Sequence, residues 1–230
     1  MSAVAVLAAG LLCRHMLVQE REPEFVFSYA ENQTEDYPTT LGAKEFAKLV
    51  EKRSNGRIQI LVQAEGALGT ESDVIAQIQY GGIDFARVSL SQLAEYIPEL
   101  NVLQMPYLYT NSDHMWKVLD GEIGDAFLAA TDESELVGLS WYDAGARNFY
   151  NSKKPITCLE DMAGMRIRVQ ESEVMVDMVE ALGATALPIP YADVYSALER
   201  GTVDGAENNW PSYEARNHYE VAKYYTVDEH

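Results

Sequence analysis

Two arginines stand two residues apart in the segment Met165-Arg-Ile-Arg-Val169, in a chain with only 17 basic residues. In an extended strand alternate side chains point to opposite faces, so Arg166 and Arg168 share one face. A guanidinium is planar and always charged, and it can hold a carboxylate through two parallel hydrogen bonds. The segment therefore suits anion binding. The alternative is that these arginines pair with some of the 36 acidic side chains of the chain itself.

Three further residues could help to hold a carboxylate or a sugar. The Asn208 side chain offers an amide donor and an amide acceptor, which suit a carboxylate or a hydroxyl. Arg147 follows the segment 141–146, where the first half of the chain gives way to the second; it is either a ligand-binding residue or a surface or helix-capping residue. Trp210 either stacks on a sugar ring or fills a gap in the fold.

Catalytic motifs and metal-ligand spacings are missing from the sequence. It contains no Gly-x-Ser-x-Gly elbow, no phosphate-binding Gly-x-x-x-x-Gly-Lys loop and no dinucleotide fingerprint. Two cysteines and four scattered histidines give no zinc-site spacing, so we expect neither a metal nor a cofactor. Asp204 and Glu207 could form a carboxylate pair for acid–base chemistry, but the sequence favours a structural role for Asp204.

The composition of the 230 residues excludes further classes of protein. A net charge of −19 repels phosphate backbones, so nucleic-acid binding is excluded as the main activity. Hydrophobic residues make up 47% and aromatic residues 10% of the chain, which indicates a folded globule rather than a disordered acidic tail. An acidic, cofactor-free folded domain remains.

Strand-like and helix-like segments alternate from Phe25 onward, which predicts an α/β fold. Thr70 and Asp73 are spaced as a capping box at the start of a helix that Gly81 and Gly82 end. The predicted strands are 25–30, 58–62, 83–88, 136–142 and 165–169, and the predicted helices are 41–53, 70–80 and segments that begin at Ser112 and Ser172.

An internal repeat relates the segments 73–86 and 193–206, which share Asp, Val, Gly, Asp and Ala at five positions, all 120 residues apart. Both have the pattern of helix, glycine and strand, so we expect a duplicated α/β unit; the alternative is an accidental match within a common unit. Two similar units predict two lobes with a cleft between them. Ligands sit beyond the carboxyl ends of such strands, which here means near Ser89 and near the segment 207–209.

Several motifs taken together resemble those of DctP-type solute-binding proteins of TRAP transporters. The resemblance rests on Arg147 with Pro155, on the segment 160–169 and on the segment 192–208, and it covers the chain from residue 25 to residue 230. It implies a two-lobed, periplasmic-binding-protein-like α/β fold that closes over an organic acid outside the cytoplasm. It also implies that membrane permease subunits, driven by an ion gradient, receive the ligand.

The resemblance further implies roles for particular residues. Arg168 would form the ion pair with the ligand carboxylate, Asn208 would hydrogen-bond the same group, and Arg147 would lie in the cleft on the second lobe. Ser89, at the end of a first-lobe strand, would occupy a position of ligand-specific contacts. Gln170, which follows the arginine strand, is a further ligand-binding candidate.

Acceptor side chains are expected around this cationic centre: Glu31 and Asn32 at the end of the first strand, Glu71 at a helix start, and Glu171. Acceptors suit sugar hydroxyls, whereas a second carboxylate on the ligand would need another cation. The excess of acceptors over cations, together with the resemblance to uronate-binding members, predicts a sugar acid such as a hexuronate. A C4-dicarboxylate or another small carboxylate is the alternative. The same acidic groups could instead be helix N-terminal residues favoured by the dipole.

Two other classes of protein stay open at this point. An enzyme acting on sugar acids could use Asp204, Glu207 and Tyr195. A ligand-sensing ectodomain could bind the same acid and report to a kinase or a receptor. We favour the transport subunit, and we expect it to act as a monomer, without catalysis and without a nucleic-acid partner.

The predicted organisation has four parts. Residues 1–24 are expected to be an export signal or the remnant of an anchor, because residues 2–13 are almost wholly apolar and too short to span a bilayer; a buried N-terminal helix is the alternative. Residues 25–145 are expected to form lobe 1, residues 146–222 lobe 2, and residues 223–230 the start of a return to lobe 1. Family members are longer, so we expect an incomplete chain. Its expected location is periplasmic or otherwise extracytoplasmic, either free or held at the membrane through its N-terminus.

Overall fold

The computed structural model describes residues 22–230, so the predicted export signal lies outside the described residues except for positions 22–24. The described residues form an α/β fold with two sheets, which confirms the predicted fold class. The strands are β1 Phe25–Ala30, β2 Ile58–Gln63, β3 Phe85–Ala86, β4 Arg147–Asn151, β5 Arg166–Val169, β6 Thr185–Pro188, β7 Gly205–Asn209 and β8 Tyr224–Tyr225. The helices are α1 Pro38–Arg53, α2 Glu71–Gln79, α3 Leu90–Leu93, α4 Ser112–Leu119, α5 Glu122–Ala129, α6 Glu173–Ala181, α7 Val194–Glu199, α8 Trp210–Ala215 and α9 His218–Val221.

The first sheet has the order β2–β1–β3, and its strands run parallel. Tyr29 of β1, Ile60 of β2 and Ala43 of α1 are buried in one core, because alternate strand residues face the helix. The rings of Phe46 and Phe85 meet edge to face in the same core, with their centroids 5.8 Å apart. This packing fixes the carboxyl ends of β1 and β3 side by side.

Helix α2 begins at the predicted capping box. The Thr70 hydroxyl accepts from the Asp73 amide at 3.2 Å, and Asp73 Oδ2 accepts from the Thr70 amide at 3.1 Å. These two bonds satisfy amides that the first turn of a helix leaves free. The strand that follows is shorter than predicted, since only Phe85–Ala86 (β3) of the segment 83–88 pair with another strand.

The two copies of the internal repeat have the same local structure. Each consists of a helix, a glycine with positive φ and a strand: α2 and β3 in the first copy, α7 and β7 in the second. Asp84 accepts a hydrogen bond from the Ser28 amide at 2.8 Å, and Asp204 accepts one from the Arg166 amide at 3.0 Å. Both donors lie on the neighbouring parallel strand. These matching bonds give Asp204 a structural role, as the sequence favours, and the duplication itself stays a prediction.

The predicted strand 136–142 does not form, and these residues have no regular secondary structure. Glu135 has a φ of 59°, which bends the chain before the segment begins. The amides of Leu136 and Gly138 then donate to the Thr131 carbonyl at 3.3 Å and the Thr131 hydroxyl at 2.7 Å. Because these amides are bonded within a local loop, they do not pair with another strand.

The second sheet has the order β6–β5–β7–β4–β8. Strand β5 runs parallel to β6 and β7, whereas β4 runs antiparallel to β7 and β8. The register places Tyr150, Ala206 and Arg168 in one row across β4, β7 and β5, so their side chains share a face. Residues 223–230, predicted to start a return to lobe 1, still pack on this sheet, since β8 pairs with β4.

Candidate ligand-binding site

Arg168 is buried, and no carboxylate among residues 22–230 forms an ion pair with it. Its exposed fraction is 2%, its Nε donates to the Ile189 carbonyl at 2.8 Å, and its Nη1 has no hydrogen-bond partner among the described residues. Burial lowers the pKa of Arg168, and the Glu207 carboxylate offsets this effect only in part. A buried cation without a counter-ion is costly until an anion binds it. Arg168 is therefore suited to bind a ligand carboxylate.

Tyr150 and His218 form a buried pair next to Arg168. The Tyr150 hydroxyl and His218 Nδ1 are 2.8 Å apart. Burial raises the pKa of Tyr150. Burial, with smaller effects from the charges of Arg168 and Arg216, lowers the pKa of His218 to about 4. The pair is therefore neutral near pH 7.

Acid should weaken the fold through His218. The pKa of His218 is about 4 in the folded protein and about 6.5 in the unfolded chain, so between these values the unfolded chain binds more protons. The free energy of unfolding should therefore fall as the pH falls through this window, by about 3 kcal/mol. Urea titrations at pH 7 and pH 4.5 should show a larger loss in the wild type than in His218→Asn, which has no titrating group there. Equal losses in the two proteins would contradict this assignment.

Arg147 is paired with Glu207, so it adds no free charge to the site. Its Nη2 donates to Glu207 Oε1 at 2.8 Å, and its Nε donates to Oε2. His230 stacks on Phe149 and brings its Nε2 within 3.7 Å of the same carboxylate. Burial alone would raise the pKa of Glu207, but the charge and hydrogen bonds of Arg147, with His230 nearby, hold it well below its usual range.

Arg166 pairs with an acidic side chain of the protein itself, which is the alternative to ligand binding considered for the arginine strand. Its Nε and Nη2 donate to the two carboxylate oxygens of Asp204 at 3.1 and 2.9 Å. Its side chain is 44% exposed, and Lys153 Nζ lies 3.3 Å from the same carboxylate. The bond from Arg166 lowers the pKa of Asp204 to about 2. Of the two arginines on this strand, Arg168 alone is left without a carboxylate among the described residues.

Asn208 and Gln170 are buried near the ends of β7 and β5. Asn208 lies two residues beyond Ala206, which pairs with Arg168, so its side chain is on the same face as Arg168. Gln170 directly follows β5, and its Oε1 accepts from the Ser91 hydroxyl at 2.9 Å. The structure therefore brings these two predicted residues to the same edge of the sheet as Arg168.

The predicted acceptors of the first sheet converge on Arg87. Its Nε donates to Glu31 Oε2 at 3.1 Å, and its Nη2 donates to Glu31 Oε1 and Asn32 Oδ1. Glu71 Oε1 accepts from Arg87 Nη1 at 3.3 Å and from the Ser89 amide at 2.7 Å. The four predicted residues therefore lie together beyond the strand ends, but the cation that they surround is Arg87 and not Arg168.

Sequence reasoning missed Arg87, which is 12% exposed at its side chain. Burial alone would lower the pKa of Arg87, but the charges of Glu31 and Glu71 raise it. A signal was present, because Arg87 lies at the end of the predicted strand 83–88 and two residues before Ser89. A rare basic residue at a strand end close to predicted acidic groups is a candidate for pairing with them.

Side chains from the two sheets meet near these groups. The Tyr37 hydroxyl donates to Asn209 Oδ1 at 3.0 Å, and Arg216 Nη2 donates to the Asn32 carbonyl at 2.9 Å. Tyr37 precedes helix α1, which packs on the first sheet, and Asn209 is the last residue of strand β7 in the second sheet. The strand ends of both sheets are therefore within side-chain reach of each other.

A second set of bonds joins the region of α3 to the start of α6, and we call it the α3–α6 contact. Gln92 Nε2 donates to the Glu171 carbonyl at 3.2 Å. The Glu173 amide donates to Glu95 Oε1 at 3.2 Å. Glu171, predicted near the ligand, thus uses its backbone carbonyl to join the two parts of the chain.

Trp210 is 56% exposed and packs on one side only. Its ring meets Tyr225 edge to face, with centroids 5.0 Å apart, and lies tilted against Tyr213 at 5.6 Å. The tryptophan therefore fills part of the fold at the end of β7. Its stacking on a sugar ring stays a prediction.

The residues named for an enzyme are bonded to different partners. Tyr195 donates to Glu220 at 3.0 Å, whereas Asp204 and Glu207 accept from Arg166 and Arg147.

Within residues 22–230, the structure has no cluster of three side chains arranged to hold a metal ion. No helix of this range is long and apolar enough to cross a membrane.

Comparison with known families gives one clear match. The model of the DctP family, described as bacterial extracellular solute-binding protein, family 7, matches residues 29–230. A solute-binding protein of Chromohalobacter salexigens is 39% identical over 84% of this chain and 58% of its own length. The chain spans 58% and 62% of the first two curated relatives that it matches.

Solved structures with the same fold contain bound acids. A TRAP periplasmic solute-binding protein of Xanthobacter autotrophicus with bound β-D-galacturonate is 44% identical, with a TM-score of 0.87 over 89% of this chain and 68% of that one. A protein of the same description from Sulfurospirillum deleyianum, with bound succinate, is 31% identical, with a TM-score of 0.87 over 90% of this chain and 67% of that one.

Proposed function

Because the chain belongs to the DctP family of bacterial extracellular solute-binding proteins, we propose that it is the solute-binding subunit of a TRAP transporter. Its ligand in this proposal is a sugar acid, best represented by a hexuronate. The observation that carries the proposal is the buried Arg168, whose Nη1 has no partner and whose charge has no carboxylate among the described residues. The family consists of solute-binding proteins, which argues against the alternative of an enzyme.

The carboxylate of the ligand would neutralise Arg168. A guanidinium can hold both oxygens of a carboxylate, and such charge-assisted bonds are about twice as strong as neutral ones. Asn208 lies on the same face of the sheet and offers an amide to the same group. Ligand binding would thus replace a costly unpaired charge by a buried ion pair.

The remaining charges favour a ligand with one carboxylate. Arg147 is bound by Glu207, and Arg87 is bound by Glu31 and Glu71. A second carboxylate would have to displace one of these buried partners or bind Arg216, whose Nη2 already donates to the Asn32 carbonyl. Hydroxyls of a sugar acid could instead donate to them. Galacturonate, bound by the Xanthobacter protein, fits this balance; a C4-dicarboxylate is the second candidate, since the Sulfurospirillum protein binds succinate.

The two sheets correspond in this proposal to two lobes, residues 25–145 and residues 146–222, with the ligand between them. The bonds Tyr37–Asn209 and Arg216–Asn32 support it, because they join the strand ends of both sheets. A ligand that contacts both lobes favours their closed arrangement by its differential affinity. The protein would act as a monomer outside the cytoplasm and deliver the ligand to membrane permease subunits. Anchoring through residues 1–24 stays a prediction.

A thermal-shift panel tests the proposed function. D-galacturonate and D-glucuronate should raise the melting temperature, since a ligand at 1,000 times its Kd stabilises the folded state by about 4 kcal/mol. D-galactose is the matched control, because it has the same ring without the carboxylate and should give no shift. Succinate separates the second candidate from the first. Equal shifts with galactose and galacturonate would reject carboxylate recognition, and consumption of galacturonate during the assay would favour the enzyme.

A further inference from the structure

We propose that Arg216 and Tyr191 are further ligand-binding residues, which together with Arg168 bind a hydroxyl or ring oxygen next to the carboxylate of the ligand. The inference rests on the proposed function, because it concerns the same site and names the ligand chemistry that the site would recognise. Both residues belong to segments that follow strands of the second sheet.

Buried polar atoms without a partner are grouped around Arg168. Among the described residues, Arg168 Nη1, Arg216 Nε, the Tyr191 hydroxyl and His218 Nε2 are buried and make no hydrogen bond. The Arg216 guanidinium carbon lies 5.1 Å from the centre of the Tyr191 ring. Arg168 Nε donates to the carbonyl of Ile189, which lies two residues before Tyr191. His218 Nδ1 is 2.8 Å from the hydroxyl of Tyr150, which shares a row of the sheet with Arg168. Because buried polar groups almost always have partners, this grouping points to a molecule that supplies acceptors.

Arg216 differs from the arginines that carry a structural charge. Arg87, Arg147 and Arg166 each bind a carboxylate. Within the part of the chain that the structure describes, Arg216 forms no ion pair. Its Nη2 donates to the Asn32 carbonyl at 2.9 Å. This bond fixes the position of the guanidinium, and Nε remains able to donate to a ligand.

The free groups define the kind of oxygen that they can bind. Arginine only donates, whereas a tyrosine hydroxyl can donate and accept. Arg216 and Tyr191 together therefore suit a hydroxyl or a ring oxygen, while Arg168 holds the carboxylate. A uronic acid carries a ring oxygen on the carbon next to its carboxylate, whereas a simple aliphatic acid carries only hydrogen there. The inferred ligand class is a carboxylic acid with an oxygen substituent beside the carboxylate.

Calorimetry with D-galacturonate tests this inference in two variants. Arg216→Gln removes the Nε donor, and Tyr191→Phe removes only the hydroxyl. A hydrogen bond that involves a charged group is expected to change Kd by about 10- to 100-fold, and that of the tyrosine by about 10-fold. Arg200→Gln is the matched control, because Arg200 and Arg216 both follow the last residue of a short helix, and Arg200 is exposed. Its Kd should equal that of the wild type.

The outcomes separate this inference from the proposed function. An unchanged Kd in Tyr191→Phe overturns it, even if Arg216→Gln binds weakly, because Arg216 would then act through its bond to Asn32. If the wild type binds no sugar acid, the proposed function fails and the inference fails with it. Melting temperatures without ligand show whether each variant folds. Should Arg216→Gln not fold, Arg216→Lys keeps the charge without the Nε donor, and a wild-type Kd in that variant would also overturn the inference.

Discussion

Replacing Arg168 by methionine should abolish binding of a sugar acid and leave the empty protein at least as stable as the wild type. Methionine is unbranched, like the aliphatic part of arginine, and has no charge. Without a ligand the Arg168 charge is buried and has no carboxylate partner within the described part of the chain, so its removal relieves a cost. In the complex the same change leaves the ligand carboxylate buried without its partner, which costs about 3–5 kcal/mol, or about 10²- to 10⁴-fold in Kd. Calorimetry with D-galacturonate and urea unfolding measure the two effects.

The controls for this prediction lie at the same strand. Arg168→Lys keeps the charge but cannot form the two-pronged contact, so it should also bind weakly. Arg166→Gln should bind as the wild type does, because Arg166 is an exposed residue paired with Asp204. A wild-type affinity in Arg168→Met or Arg168→Lys would reject Arg168 as the anchor of the carboxylate. A large loss of affinity in Arg166→Gln would mean that the strand, and not the one arginine, determines binding.

Glu31→Gln should lower the free energy of unfolding by about 3–5 kcal/mol, because it breaks a buried ion pair. The Glu31 side chain is fully buried. Its Oε1 accepts from the Gln33 amide at 3.1 Å and from Arg87, and its Oε2 accepts from the Thr39 hydroxyl at 3.0 Å and from Arg87. An amide offers only one acceptor oxygen, so the substitution sets an NH₂ group against these donors and removes the charge that holds Arg87.

The matched control is Glu24→Gln. Glu24 is also bonded to an arginine, Arg57, at 2.7 Å, but both side chains are more than half exposed. Water screens such a pair, so its loss should leave the urea midpoint almost unchanged. Equal midpoints for Glu31→Gln and the wild type would show that Arg87 is stabilised without Glu31. A weaker Kd for galacturonate in Glu31→Gln, measured where the variant is fully folded, would support the predicted contact with the ligand.

Helices and strands whose sequence pattern spans only a few neighbouring residues could be predicted from the sequence. The capping box of Thr70 and Asp73 and the strand-forming residues of β1 each lie within a few positions of the chain, and both elements form as expected. The segment 136–142 also has strand-forming residues, but the amides of Leu136 and Gly138 donate to Thr131 and not to another strand. A strand-like sequence does not show whether another strand is available to pair with it.

The pairing of the arginines in the candidate site could not be predicted from local sequence either. Spacing alone places Arg166 and Arg168 on one face. Arg166 is paired and Arg168 is not because Asp204, which lies 38 residues from Arg166, bonds only to Arg166 of the two. Arg87 was missed because its partner Glu31 lies 56 residues away and reaches it only through the pairing of β1 with β3. Which cation stays unpaired is therefore a property of the sheet topology, and no local pattern encodes it.

The α3–α6 contact makes one amide a reporter of the separation of the two sheets. Glu173 is the first residue of α6, and the helix itself provides no acceptor for an amide in that position. Its hydrogen is instead held by Glu95, which comes from the other part of the chain. In the proposed two-lobe mechanism, separation of the two parts would break this bond and let the amide exchange its hydrogen for deuterium. Its exchange rate would then follow the population of open molecules, and a ligand that closes the protein should slow it.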